Sequence, residues 1–321
     1  MHMTYDSLLR SLPEAPEIIA KLRNGTYEIH GGVIRHAAGS GQGGQIVKHL
    51  IFPSDPLQTQ QRLQEFQSTI SNRMSTLQSG MDGIQQSMNV LQGLQKANLV
   101  MSGLNLAVTT VGFVIVCKKL DGISGQIQAQ SEGIAQTLKL VGEVYDRSLL
   151  HDEARFRSLL LSTEQYCEQG DVEHLKAQIP KFHDEYQFTK LILERNAPLK
   201  ASNLDRFSEI SLLQDRLVNL SIVLTHVQVK CGSPAYGRKS LTQLADDVRM
   251  LNAKRIESML TDDVATEVNR SRFAEISDFL KSGRDMIPAL AYQADVIDLE
   301  SRHPGLIQRA SESNEILLVA A

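Results

Sequence analysis

The chain has 321 residues, of which 22% are charged, and a formal net charge of −4 at neutral pH. There is no global excess of lysine and arginine to neutralise phosphates, which argues against a nucleic-acid-binding protein. Aromatic residues make up 5% of the chain and tryptophan is absent, which disfavours base-stacking platforms and sugar-binding clefts.

Residues 1–56 predict a small α/β element. The stretch before Asn24-Gly25 predicts one or two short helices that end at this dipeptide. Residues 26–53 then predict two or three short strands, rich in isoleucine and valine and separated by glycine turns, with a short β-hairpin. The N-terminus lacks the apolar core of a signal peptide. We therefore expect synthesis in the cytoplasm, as a soluble or membrane-associated protein.

Residues 57–150 predict a long coiled-coil-like unit. No proline occurs between Pro56 and Pro180. Apolar residues recur at spacings of three and four on both sides of an uncharged run, residues 99–117, with Gln130 as one polar gap in the second arm. The predicted seam consists of Ile70, Met74, Leu77, Met81, Ile84, Met88, Leu91, Leu120, Ile123, Ile127, Ile134, Leu138 and Val141.

The uncharged run is about as long as a helix that crosses a bilayer. When the heptad positions of the first arm are continued through the run, they fall on polar and small residues. These residues form one narrow stripe, which suits contacts between helices or the lining of a pore. That stripe consists of Asn98, Ser102, Asn105, Thr109 and Gly112. The rest of the circumference is apolar, and the predicted membrane-contacting residues are Leu99, Leu104, Leu106, Val108, Val111, Phe113, Val114 and Ile115.

Two structural alternatives stay open for this region. A single helix over residues 60–150 would be about 135 Å long, whereas a helical hairpin would place the apolar run at its tip, near Gly103 and Gly112. The run either contacts lipid or packs as the central helix of a soluble bundle. In architecture alone, residues 57–150 resemble α-helical pore-forming toxins, which hide one apolar element among long helices. The resemblance implies a protein that folds in water and inserts later.

Residues 151–321 predict a C-terminal helical bundle. The predicted helices cover residues 170–198, as one helix or as two with a break at Pro180, and residues 202–232, 240–260, 261–281 and 285–300. Gly232 is the expected C-cap of the second of these helices, and Ser240 the expected N-cap of the third. We expect the residues after Pro304 to be frayed.

No motif indicates a reaction, so we expect a non-enzymatic protein without cofactor or metal. Residues 39–44 match the spacing G-x-G-x-x-G, but a predicted strand follows, which favours a hairpin loop over a dinucleotide site. His30, His36 and His49 flank the glycine turns and would bind a metal only if they converged across the strands. His226 lies among apolar residues and predicts a buried histidine rather than a base.

The three cysteines, Cys117, Cys167 and Cys231, are widely spaced and odd in number. This pattern suits a reducing compartment without disulfides and offers no metal-ligating pair.

The leading hypothesis is a membrane-active helical protein, pore-forming or membrane-anchored, that oligomerises through its central helices. Its expected partners are a lipid membrane and either further copies or other partner helices. The alternative is a soluble coiled-coil scaffold or adaptor that buries the apolar segment in its own bundle.

Overall fold

A computed structural model describes residues 9–11, 14–30, 32–37, 41–51, 143–199, 207–261, 270–306, 309 and 317–320. The predicted seam, stripe and membrane-contacting residues, all within 70–141, lie outside the described residues.

The described residues form a mainly helical protein with a small antiparallel sheet, which confirms the predicted fold class at this level. In chain order the elements are β1 (Leu9–Ser11), α1 (Pro16–Arg23), β2 (Tyr27–His30), β3 (Val33–His36), β4 (Ile46–Ile51), α2 (Glu143–Gln169), α3 (Val172–Asn196), α4 (Phe207–Lys230), α5 (Pro234–Thr261), α6 (Arg270–Arg302) and β5 (Leu317–Ala320).

The sheet joins strands from both ends of the chain, in the order β1-β5-β4-β3-β2, with every neighbouring pair antiparallel. The predicted strands between residues 26 and 53 are confirmed as β2, β3 and β4. Residues 41–44 form the predicted turn before β4, and Gly44 adopts a φ of +83° that glycine tolerates without strain. The expectation of frayed residues after Pro304 is wrong for residues 317–320. These residues form β5, whose Leu318 lies opposite both Arg10 and Leu50.

Helices cover both faces of the sheet. Tyr27 lies on the same face as Ile34 by strand alternation, and there Lys21 of α1 donates a hydrogen bond to Tyr27 Oη at 3.1 Å. On the opposite face, Gly32 at the β2–β3 turn lies against the Tyr292 ring of α6. Sheet and helices therefore share one hydrophobic core.

Helices α2 to α6 pack in sequence order. Hydrogen bonds join Thr225 to Gly237 and, farther along the same two helices, Gln214 to Arg255, so α4 and α5 run antiparallel. Residues 220–228 of α4 are all buried, which makes α4 the central helix of this layer. Gly232, with a φ of +76°, lies just past α4 and confirms the predicted helix end.

Three predicted helix boundaries are wrong. Helix α3 continues through Pro180, because buried residues such as Phe182 hold the following turns against the body. Ser240 lies inside α5 rather than at its start, and its hydroxyl donates to Gln228 Oε1 at 2.9 Å. Residues 270–302 form one helix, and the predicted break is instead a close contact between buried Gly283 and Asn252 of α5.

Candidate functional sites in the helical body

One buried polar cluster connects α3 to α5. The Tyr186 hydroxyl donates to Asp247 Oδ2 at 2.7 Å, and Lys190 Nζ lies 2.7 Å from Asp247 Oδ1. Asp247 is 6% exposed, whereas the Lys190 side chain is 22% exposed and also lies 3.9 Å from Glu194. Burial, and then the hydrogen bond to Asp247, raise the pKa of Tyr186 above its ordinary value. The cluster therefore joins α3 to α5 through a protonated tyrosine hydroxyl and a buried carboxylate.

A second cluster ties α2, α3 and α4 together. Arg216 Nη2 donates to Glu185 Oε2 at 2.6 Å, and Arg155 Nε lies 3.8 Å from Glu185 Oε1. The Arg216 guanidinium also stacks over the Phe156 ring, 4.5 Å from its centroid. This carboxylate is therefore buried together with a cation, which is how proteins tolerate a buried charge.

Arg255 of α5 differs from both clusters because its guanidinium is fully buried and no carboxylate of a described residue pairs with it. Its Nη1 donates to two neutral amide oxygens, Gln214 Oε1 at 2.7 Å and Asn252 Oδ1 at 3.0 Å. The guanidinium lies 4.8 Å from the centroid of the Phe279 ring. Its Nε and Nη2 atoms make no hydrogen bond to any residue in the described part of the chain. Burial lowers the pKa of Arg255 to about 10, so the side chain still carries its charge at neutral pH.

The polar groups around Arg255 separate two apolar regions. Leu199, Phe207 and Ile276 form a small cluster of their own, distinct from the main core. Ser258, one turn after Arg255, accepts the backbone N–H of Leu199 at 2.8 Å and so connects this cluster to α5. The end of the body where α4 begins and α5 ends is therefore packed separately from the rest.

Two of the strand histidines, His36 and His49, lie on opposite faces of the sheet. Strand register pairs His49 with Val33, so these two residues share a face. His36 lies on the other face, where its ring meets the Tyr27 ring edge-on at 5.0 Å. Consistent with this separation, the described residues contain no group of three or more metal-ligating side chains arranged to hold an ion.

His49 faces α6 instead. Burial lowers the pKa of His49, and the nearby Asp295 carboxylate acts in the opposite direction. The same burial raises the pKa of Asp295. Each of these partly buried groups therefore offsets part of the pKa shift that burial causes in the other.

His226 is confirmed as a buried histidine. It is 2% exposed on the central helix α4, and burial lowers its pKa well below the ordinary value. His226 therefore packs in the core as an uncharged imidazole at neutral pH.

Sequence reasoning missed the groups around Asp247 and Arg255. A signal for Arg255 was present in the spacing of α5. The buried residues Leu241, Leu244, Val248, Leu251, Arg255 and Ser258 alternate steps of three and four. A charged residue in an apolar seam indicates a buried charge. No comparable signal distinguishes Asp247 from Asp246 in the sequence, because both are aspartates. Only the structure shows that Asp246 is exposed and Asp247 buried.

The membrane-contacting residues, the stripe and the seam that the sequence predicts lie outside the described ranges, so their arrangement is not part of this site. Among the helices that the structure describes, none is both long enough and apolar enough to cross a bilayer. The chain matches no family model, and neither curated proteins nor solved structures contain a significant match to it.

Proposed function

We propose that this is a non-enzymatic, membrane-active helical protein whose central segment contacts lipid and oligomerises. The observation that carries the proposal is the uncharged run at residues 99–117, which keeps its phase with the apolar seams before and after it. A helix built this way presents one narrow polar stripe to other helices and an apolar surface elsewhere.

The two ends of the central segment are attached to the same body. Ile51, the last residue of β4, and Phe156 of α2 belong to one hydrophobic core. A straight helix from residue 60 to Phe156 would be about 145 Å long. The extended chain from Ile51 to residue 60 reaches only about 32 Å. The longest helix of the body, with 33 residues, measures about 50 Å.

The linker and the body helix together are shorter than the distance that a single straight helix would span. They favour the hairpin alternative, in which the segment leaves the sheet, turns and returns as α2. Arms over residues 60–98 and 118–156 would be equal, each about 60 Å long. The apolar run would then lie at the turn, at the point farthest from the folded body. We infer that the protein presents this tip to the membrane.

Flotation with liposomes tests the proposed membrane contact. Wild-type protein should float with phosphatidylcholine vesicles or with mixed phosphatidylcholine and phosphatidylglycerol vesicles. Val111→Glu should remain in the dense fraction with an unchanged thermal midpoint, because it places a charge in the lipid-facing surface. Leu260→Glu is the matched control, since Leu260 is an 81% exposed leucine on α5, and it should float like wild type.

Wild-type protein that stays in the dense fraction with both lipids would overturn the proposal. If Val111→Glu also lowered the free energy of unfolding by several kcal/mol, the result would favour a soluble scaffold that buries the segment.

A spin-label distance measurement tests the hairpin. In a background with the three cysteines replaced by serine, labels at Gln60→Cys and Ala154→Cys should lie within about 40 Å of each other in a hairpin. A straight helix would separate them by about 140 Å. Labels at Ala154→Cys and Glu168→Cys, both exposed on α2, provide the control distance of about 21 Å. If the labels at residues 60 and 154 lacked the short distance while the control pair kept its distance of about 21 Å, the hairpin would be excluded.

A further inference from the structure

We propose that the Nε/Nη2 edge of Arg255 is a binding site for an oxyanion with two acceptor oxygens, a carboxylate or phosphate group. The site lies at the end of the helical body, between α4, α5 and α6.

The hydrogen bonds of Arg255 leave one side of the guanidinium free. Nη1 is held by the side-chain oxygens of Gln214 and Asn252, and both partners are neutral. Within the described ranges, Nε and Nη2 have no acceptor. These two nitrogens form the edge on which arginine binds a carboxylate or a phosphate with two parallel hydrogen bonds. The geometry of the unused donors therefore selects the ligand class.

The surroundings of Arg255 fix the guanidinium in place before any anion arrives. Phe279 stacks on one face. Asn252 is itself held, because its Nδ2 donates to the Leu280 carbonyl at 3.3 Å and its amide fits against Gly283, which has no side chain. A preorganised donor pair binds an anion without first losing side-chain freedom.

Arg216 shows that a largely buried arginine of this protein pairs with a carboxylate of its own chain, although through Nη2 alone, because Arg216 Nε has no acceptor among the described residues. Both arginines stack on a phenyl ring, and Arg216 donates to Glu185 at 2.6 Å. At Arg255 the position of the carboxylate is unfilled by any described residue, although a buried cation without a counter-charge is strongly unfavourable. An anion from outside would supply the missing charge.

Access to this edge requires local opening, because Arg255 is 0% exposed. Phe279, which lies over the guanidinium, packs against the small cluster of Leu199, Phe207 and Ile276, and this cluster is separate from the main core. Movement of this cluster would expose the guanidinium edge while the main core stays intact.

Thermal unfolding in sodium acetate, sodium phosphate and sodium chloride at equal ionic strength tests the proposal. At ten times the dissociation constant, acetate or phosphate should raise the midpoint of wild-type protein by roughly 3 to 6 °C relative to chloride. The acetate and phosphate arms identify which oxyanion the edge prefers. Arg255→Met should have a higher midpoint than wild type in chloride and no response to either oxyanion. Arg216→Met is the matched control and should keep the wild-type response.

A second measurement is independent of global stability. Nitrogen-15 NMR should show the Arg255 Nε–H resonance, identified by its absence in Arg255→Lys, shifting as acetate or phosphate is added. An equal thermal response in wild type and Arg255→Met, or no movement of that resonance with either probe, would overturn the proposal.

Discussion

Replacing Asp247 by alanine should destabilise the helical body far more than replacing the adjacent Asp246 by alanine. Asp247 is the only described acceptor that both Tyr186 and Lys190 reach at 2.7 Å. Its removal leaves the buried Tyr186 hydroxyl without this acceptor. It also removes the carboxylate that pairs with Lys190, whose side chain is 22% exposed. The perturbation therefore acts on the contact between α3 and α5.

The magnitude follows from these two interactions. A hydrogen bond to a charged group contributes about 1.5 to 3 kcal/mol, and breaking a buried ion pair costs about 3 to 5 kcal/mol. Because Lys190 retains contact with water and with Glu194, the lower part of this range applies. We expect a loss of about 3 kcal/mol for Asp247→Ala. Asp247→Asn keeps an acceptor for Tyr186 and should lose about half of that.

Urea unfolding followed by circular dichroism at neutral pH measures this change. Asp246→Ala is the control, because Asp246 is 64% exposed and pairs only with Arg249 on the surface. An exposed pair of this kind contributes about 0 to 1 kcal/mol. If Asp247→Ala were no more destabilising than Asp246→Ala, the assignment of a structural role to this buried cluster would be refuted.

Three further predictions follow. The folded-state pKa of Tyr186 is raised, so its stabilising contribution is complete below the unfolded value near 10 and is lost as pH rises above it. Tyr186→Phe should flatten that alkaline loss in urea titrations, and an unchanged slope would contradict the assignment. The pKa of His226 is lowered in the fold, so stability should fall as pH drops below about 6.5. His226→Gln should reduce this acid slope, and an equal slope in both proteins would count against it. Gly32→Ala should lose about 1 to 3 kcal/mol by overpacking, because its Cβ would overlap the Tyr292 ring. Gly41→Ala meets nothing within 4 Å and should change stability little.

Local sequence signals predicted much of the secondary structure. The Asn24-Gly25 and Gly232 positions marked helix ends correctly, since both signals act through the backbone of neighbouring residues. Strand signals between residues 26 and 53 also succeeded, because β-branched residues alternate with glycine turns there. The same local rules failed at Pro180 and Ser240, where packing against other helices decided the outcome.

The pairing of β5 required the tertiary structure. Leu317–Ala320 is a short apolar stretch whose partners, β1 and β4, lie near the other end of the chain. No local pattern specifies a partner that distant. The stretch becomes a strand because the sheet buries Leu318 and Val319 and satisfies their backbone groups.

By itself, the sequence determined that the chain is mainly helical and contains one uncharged run in phase with two apolar seams, because periodicity is a property of neighbouring residues. Only the tertiary structure decided which buried charges have a counter-charge. Asp246 and Asp247 are neighbouring residues of the same type, and Arg216 and Arg255 are both arginines. Burial and the proximity of a partner distinguish them, because the energy of a charge depends on the groups brought around it from distant parts of the chain.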